Sequence, residues 1–269
     1  SRTRGTVAEM ILDIIDSLFI GDPKIVEALL RNFIVEENIY GKHITVHMLK
    51  LYLQDHGVSF KDLAHDNRIL PNIERLNREY LHIFHSFSSG TIIRKESQKC
   101  WKFIKKGKSV ILHGQAGAGK SGCVTNIINF CEEEAIPYLA IRLDTHIPTE
   151  NPRKWSQEME FPASISHCIK SISDNQNAVI ILDQLDALRW TQSNSVQALN
   201  VCMELIHQIN NINKEYDSKL SLVFVCRSYD LENDSDIRGL FIKNDEAKDS
   251  IEWMKIKVDL LSDSDVNHS

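Results

Sequence analysis

Eight consecutive residues, Gly114-Gln115-Ala116-Gly117-Ala118-Gly119-Lys120-Ser121, carry the spacing GxxxxGK[ST], and Gly122 follows them. Glycines at those places let the backbone curl until successive N–H groups face one anion at the positive end of a helix. Lys120 would then reach the β- and γ-phosphates of a nucleotide and the Ser121 hydroxyl would ligate Mg²⁺. Gly114, Gln115, Ala116, Gly117, Ala118, Gly119 and Gly122 would cradle the phosphate chain. A glycine-rich turn without a ligand is the bland alternative. The context opposes it, because a short apolar run from Ser109 to Leu112 enters the loop and an amphipathic segment reaching Phe130 leaves it. Strand, loop and helix in that order are what the motif requires.

Further along, Asp183 ends the apolar run AVIIL and is placed to hold Mg²⁺ next to Ser121. Asp186, three residues on, could polarise an attacking water as a general base, or could be a helix N-cap or a surface carboxylate. Gln184 could orient that water instead. Arg227 leaves the run LSLVFVC, where its planar fork could contact a γ-phosphate; an ion pair with Asp230 or Asp234 is the rival. Arg189 is a weaker candidate for a similar role toward a neighbouring subunit.

These residues need strand ends to hold them. Apolar runs at Ser109–Leu112, Ile136–Leu143 (with Asp144 following), Ala178–Leu182 and Leu220–Cys226, with the alternating Ser250–Leu260, predict five strands. Helical stretches within Trp155–Ser173 and over Val196–Ile212 lie between them, the mark of a mostly parallel sheet covered on both faces. A ligand is expected at the carboxyl ends of such strands. The fold class is α/β.

Ahead of this core, residues 1–90 read as a small all-helical subdomain. Helices are expected over Ile11–Leu18 and Ile25–Phe33, parted by Gly21-Asp22-Pro23, and over Thr45–His56, stopped by Gly57. Ser59 with Asp62 resembles a capping signal, Pro71 opens a long helix through Phe87, and Ser88-Ser89-Gly90 marks the boundary. A further helix is expected over Ser97–Lys106. The rhythm of Ile44–Leu63 suggests helix-turn-helix, but Asp55 and Asp62 stand where a phosphate-reading surface wants arginine. His43, His47, His56, His65, His82 and His85 lack zinc spacing. The cluster Lys102, Lys105, Lys106 and Lys108 reads as a solvated helix end.

The chain has 269 residues, 42% of them hydrophobic, and a net charge of −6. That supports a packed soluble core and disfavours a broad nucleic-acid surface or adhesion to a membrane. Six cysteines, Cys100, Cys123, Cys131, Cys168, Cys202 and Cys226, show no CxxC pairing and read as buried thiols in a reducing, cytoplasmic setting. The start at Ser1 and the polar tail LLSDSDVNHS suggest a piece of a longer protein.

Together, Arg94-Lys95-Glu96, GQAGAGKS, LDQLDALR and VFVCRSYDLENDSDI resemble the nucleotide-binding domain of the STAND class of P-loop NTPases, in particular NACHT-like bacterial proteins of antiviral defence of the AVAST type. The resemblance covers about residues 91–265, leaving 266–269 as the start of a C-terminal region. It implies a three-layer core of the ASCE, AAA-like kind and a slow ATPase that switches between an ADP-bound closed state and an ATP-bound oligomer. By position, Lys120 and Ser121 bind phosphate and magnesium, Asp183 is the magnesium carboxylate, Asp186 the catalytic acid, Arg227 the sensor arginine, and Arg94 lies near adenine or ribose. Gln184 departs from relatives that place a catalytic glutamate there, which favours slow hydrolysis. The implied partners are further copies of the same domain and a trigger protein, phage-derived in the antiviral reading, sensed by C-terminal domains outside residues 1–269; membrane is not among them, and nucleic acid is disfavoured. The rival readings are a DNA-directed AAA-like ATPase and a nucleotide-binding scaffold that does not hydrolyse.

Overall fold

Val110, Ile111 and Leu112 are all fully buried, as are Val179 to Leu182 and Leu222 to Cys226. Runs apolar on both faces must be covered on both faces, and they form the centre of a five-stranded parallel sheet. The computed structural model describes residues 8, 11–12, 14–39, 45–83, 92–174, 176–190, 195–215, 217, 219–241 and 252–260. Within them the strands are β1 (Phe19–Ile20), β2 (Ser59–Phe60), β3 (Ser109–Gly114), β4 (Tyr138–Arg142), β5 (Ala178–Asp183), β6 (Leu220–Arg227) and β7 (Trp253–Val258). Residues 11–12 and 14–18 are helical, and the further helices are α1 (Pro23–Ile39), α2 (Val46–Asp55), α3 (Ile69–Ile83), α4 (Lys95–Ile104), α5 (Lys120–Glu133), α6 (Pro152–Glu158), α7 (Ile165–Ser171), α8 (Ser195–Glu215), α9 (Ser228–Asn233) and α10 (Ser235–Gly239).

The large sheet has the order β4-β5-β6-β3-β7, with every neighbouring pair parallel. The strand that enters the glycine loop is therefore not beside β5, which ends in Asp183; β6, which ends in Arg227, lies between them. Alternate side chains divide two cores. Val110, Leu112, Val179, Ile181, Val223 and Val225 pack with α4 and α5, while Ile111, Ile180, Leu182, Leu222 and Phe224 pack with α6, α7, α8 and α10. By the same alternation Asp183 and Arg227 point to the α5 face.

The two sheet edges are managed differently. β7 alternates, with Ile256 and Val258 buried and Lys255 and Lys257 exposed, and edge lysines discourage a further strand from pairing. β4 is covered by α3. Ile69, Ile73 and Leu76 join one core and Tyr80 the other, so this helix wraps the edge. Asn77, one turn before Tyr80, donates from Nδ2 to Tyr138 O at 3.1 Å and accepts the Ala140 N–H at 2.8 Å. Its amide thus stands in for a sixth strand.

Toward the N-terminus, Ile15, Phe19, Val26, Leu53 and Val58 form a small separate core. The region is not all-helical: β1 and β2 pair antiparallel, Phe19 opposite Phe60, with ring centroids 4.6 Å apart. Ser59 is therefore a strand residue and not a cap; Asp62 precedes the 3₁₀ turn Leu63–His65 without a side-chain cap bond. Pro23 is the first residue of α1 and Thr45 caps α2. α3 begins at Ile69, and Pro71 is its third residue, where a missing N–H costs nothing. The stretch Trp155–Ser173 holds two helices, α6 and α7. Buried Asp16 lies 2.8 Å from Arg153 Nε and 3.6 Å from Lys61 Nζ, tying the small core to α6. His43, His85, Ser88, Ser89 and Gly90, and residues 261–269, lie outside the described residues.

Replacing Asn77 by Ala orphans two backbone groups of β4. It is expected to cost about 1–3 kcal/mol and, at about 2–4 °C per kcal/mol, to lower the thermal midpoint measurably. Arg78→Ala on the exposed face of the same helix is the control, and an equal midpoint for the two variants would contradict the edge-covering role.

Candidate functional site: a phosphate loop and three strand ends

β3 ends in Gly114, packed so closely on β7 that a β-carbon there would lie 2.5 Å from the Val258 carbonyl oxygen. Gly117 and Gly119 hold φ of +76° and +88°, which glycine adopts without steric cost. Gly119 is the N-cap of α5, so the free N–H groups of the first turn open onto the loop. Lys120 folds back across it, donating from Nζ to Gly114 O at 3.2 Å and Gln115 O at 2.9 Å. Gln115, Ala116 and Gly117 are exposed, Ala118 is buried, and Gly122 has nothing within 4 Å of where a β-carbon would go. Ser121 is the second residue of α5.

Arg94 sits behind this loop. Its Nη1 donates to Ala118 O at 2.5 Å, and its Nη2 to Glu96 Oε1 at 2.9 Å and Asp259 O at 2.6 Å. A β-carbon at position 119 would stand 2.8 Å from Nη1. Arg94 is 8% exposed, and both its terminal nitrogens are committed to protein acceptors that brace the loop against the end of β7.

Asp183 is 2% exposed. Its Oδ2 accepts the Tyr80 hydroxyl at 2.8 Å and its Oδ1 the Gln184 N–H at 2.7 Å. Burial pushes its pKa up, and those two hydrogen bonds, with the charges of Arg142 and Lys120, pull it back. Burial, then the Asp183 charge, raises Tyr80 well above the ordinary phenol value. Gln184 holds φ +63°, a conformation that costs a residue with a side chain about 1–3 kcal/mol. It turns the chain sharply into the 3₁₀ turn Leu185–Trp190.

Asp186, in that turn, is also buried, and its Oδ2 lies 3.0 Å from Arg227 Nε. Arg227 is thus an ion-pair partner, though of Asp186 and not of Asp230 or Asp234. Those two belong to Arg189, with Nη1 on Asp230 and Nε 2.9 Å from Asp234 Oδ2. The loop and the ends of β5 and β6 come together, while Asp186 and Arg227 occupy each other.

The glycine cradle, the helix N-terminus and the Lys120 ammonium fit a polyphosphate. Ser121 and Asp183 are a two-residue oxygen set, which suits a cation whose remaining positions are taken by phosphate oxygens and water. Among the described residues no group of three His, Cys, Asp or Glu is placed to hold a metal ion. His56 binds Tyr52 O and His65 binds Asp62. Lys105 pairs with Glu134, and Lys108 with Glu252. All six cysteines are buried and free. Among the described residues no helix is long and apolar enough to cross a membrane. Tyr80 was not signalled by any motif; its place on the apolar stripe of Ile73 and Leu76 is the trace it leaves, since a phenol facing a core needs a partner.

A parallel sheet with a phosphate loop after one strand and a buried carboxylate at the end of another defines a P-loop nucleotide-binding domain. Residues 110–244 match the ATPase family associated with various cellular activities, AAA, and the chain belongs to that family. No curated protein matches. Solved structures with a similar course include the Aeropyrum pernix ORC1 protein in complex with DNA, 14% identical over 64% of this chain and 46% of that one, TM-score 0.41. Saccharomyces cerevisiae RIF2 is 13% identical over 72% and 63%, TM-score 0.37. CDC6P from Pyrobaculum aerophilum is 12% identical over 73% and 48%, TM-score 0.38. The chain thus spans less than two thirds of each, and likenesses this distant say nothing of function.

Removing Arg227 leaves a buried carboxylate unpaired. Arg227→Met is expected to destabilise by about 1–3 kcal/mol, and by clearly less in an Asp186→Asn background, when both are followed by urea denaturation. Equal losses in the two backgrounds would mean the pair is energetically idle.

Proposed function

We propose that the chain is the ATP-binding, slowly hydrolysing module of a STAND-type, NACHT-like switch, cytoplasmic, acting in defence against phage. ADP holds the resting state, and ATP drives self-association through this domain and activation of an effector. A trigger protein is sensed by parts outside residues 1–269. The observation that carries this reading is the 3.0 Å pairing of Asp186 with Arg227. In this pair the Asp186 carboxylate is engaged by Arg227 Nε, not by a water, and the Arg227 side chain is tied to the turn after β5. Hydrolysis then waits on the opening of this pair, which makes it slow and conditional. The motifs around Arg94, Gly114–Ser121, Asp183 and Arg227 support the class by resemblance.

In this reading Lys120 and the loop N–H groups bind the phosphates, Ser121 and Asp183 hold Mg²⁺, and Arg94 positions the loop behind the nucleotide. When bound, magnesium supplies charge to neutralise the β- and γ-phosphate oxygens. Asp186, once released, accepts the proton of the attacking water, and Gln184 is the alternative group to orient it. Arg227, once released, reports the γ-phosphate.

ATP or ADP with Mg²⁺ at a hundred times its dissociation constant is expected to stabilise the protein by about 2.7 kcal/mol, a rise of several degrees in the midpoint. Lys120→Ala abolishes the rise, and a wild-type protein indifferent to millimolar nucleotide refutes the reading. Asp186→Asn is expected to lower single-turnover phosphate release by about 100-fold or more; unchanged release removes Asp186 as the base. Tight binding with no release by wild type would make the domain a scaffold. Salt-sensitive retention on duplex DNA would favour the DNA-directed reading, which the ion-paired Lys105 and Lys108 do not support.

A further inference from the structure

Helix α3 reaches the nucleotide site from outside the loop and strand ends that make up the motifs. Tyr80 and Asp183 are both 2% exposed, and the hydroxyl of one lies 2.8 Å from Oδ2 of the other. With the Gln184 N–H on Oδ1, each carboxylate oxygen has one donor, which sets the plane of the group. An ionised carboxylate offers about four lone-pair sites, of which these two hydrogen bonds take two. Tyr80 is itself placed by Asn77, one turn earlier, which grips the backbone of β4 at Tyr138 and Ala140. β4 is in register with β5, Arg142 opposite Asp183. One helical turn therefore spans from the sheet edge to the carboxylate.

We propose that Tyr80 is a positioning residue for the magnesium carboxylate, and that α3 thereby ties the N-terminal helical segment to the cation side of the nucleotide site. This rests on the reading of Asp183 as the magnesium ligand. A shift of α3 along β4 withdraws the hydroxyl and loosens the hold on the cation, while the phosphate loop, braced by Arg94 and the end of β7, keeps its affinity for the phosphates. The N-terminal segment can in this way tune magnesium without blocking nucleotide.

The test is a Mg²⁺ titration of the whole 269-residue chain at a fixed concentration of a fluorescent ATP analogue, with binding in EDTA as reference and far-UV circular dichroism as the check on folding. Tyr80→Phe is expected to bind as wild type in EDTA and to need about 10-fold more Mg²⁺ for half-saturation, the loss typical when a group orienting a metal ligand is removed. In an Asp183→Asn background the same change is expected to add no further shift. An unchanged midpoint, a lower one (a hydroxyl that competes with the cation), or an additive shift in that background overturns the proposal. If Tyr80→Phe does not fold, Asn77→Ala reads the same transmission and is expected to raise the midpoint likewise; no shift there overturns it. A wild type whose nucleotide binding ignores Mg²⁺ refutes the assignment of Asp183 itself, a result separable from failure of Tyr80 alone.

Discussion

Taking the Asp183 carboxylate out of water at the end of a central strand costs several kcal/mol unless donors and charges replace the lost hydration. The replacements come from four different elements: the Tyr80 hydroxyl from α3, the Gln184 N–H from the turn after β5, and the charges of Arg142 at the end of β4 and Lys120 at the start of α5. Satisfying one carboxylate thus commits a helix to the sheet edge, two strands to a shared register and the phosphate loop to the same face. Directly after this bond the left-handed backbone of Gln184 turns the chain into the 3₁₀ turn that carries Asp186.

Charge partition around the site follows from which strand ends are neighbours. Because β6 lies between β3 and β5, Arg227 emerges beside the turn after β5 and meets Asp186, leaving Asp230 and Asp234 to Arg189. On the other flank Arg94 crosses behind the loop to the carbonyl of Asp259. The loop is held against the end of β7 twice, through the Arg94 guanidinium on Asp259 O and through the close packing of Gly114 on Val258.

What could be read from the sequence was what is encoded locally. The apolar runs of β3, β5 and β6, the glycine spacing of Gly114–Ser121 and the Asp after AVIIL each announce themselves within about ten residues. What could not be read depends on pairing across the chain. β1 and β2 need Phe19 to find Phe60, and two-residue strands leave no period to detect. Arg227 had Asp230 and Asp234 nearby in sequence, and only the strand order reveals that Asp186 is nearer in space. Tyr80 looked like one more apolar position of an amphipathic helix, because the group its hydroxyl meets lies far along the chain. The helical stretch within Trp155–Ser173 is two helices, the first starting earlier at Pro152, where Asn151 Oδ1 accepts the Lys154 N–H at 2.8 Å.

The strand order also bears on how the chain acquires its structure. The strand that leads into the phosphate loop has no partner close in sequence: Val110 faces Val223 on one side and Met254 on the other. Its whole pairing must wait for the C-terminal third of the chain, so during synthesis a buried, apolar strand is made early and paired last. Chains dominated by such distant pairings fold slowly, and an early unpaired strand is exposed to wrong partners meanwhile. Helices α4 and α5, which flank β3 in sequence and cover the same face of it, are the nearest shields for it in that interval.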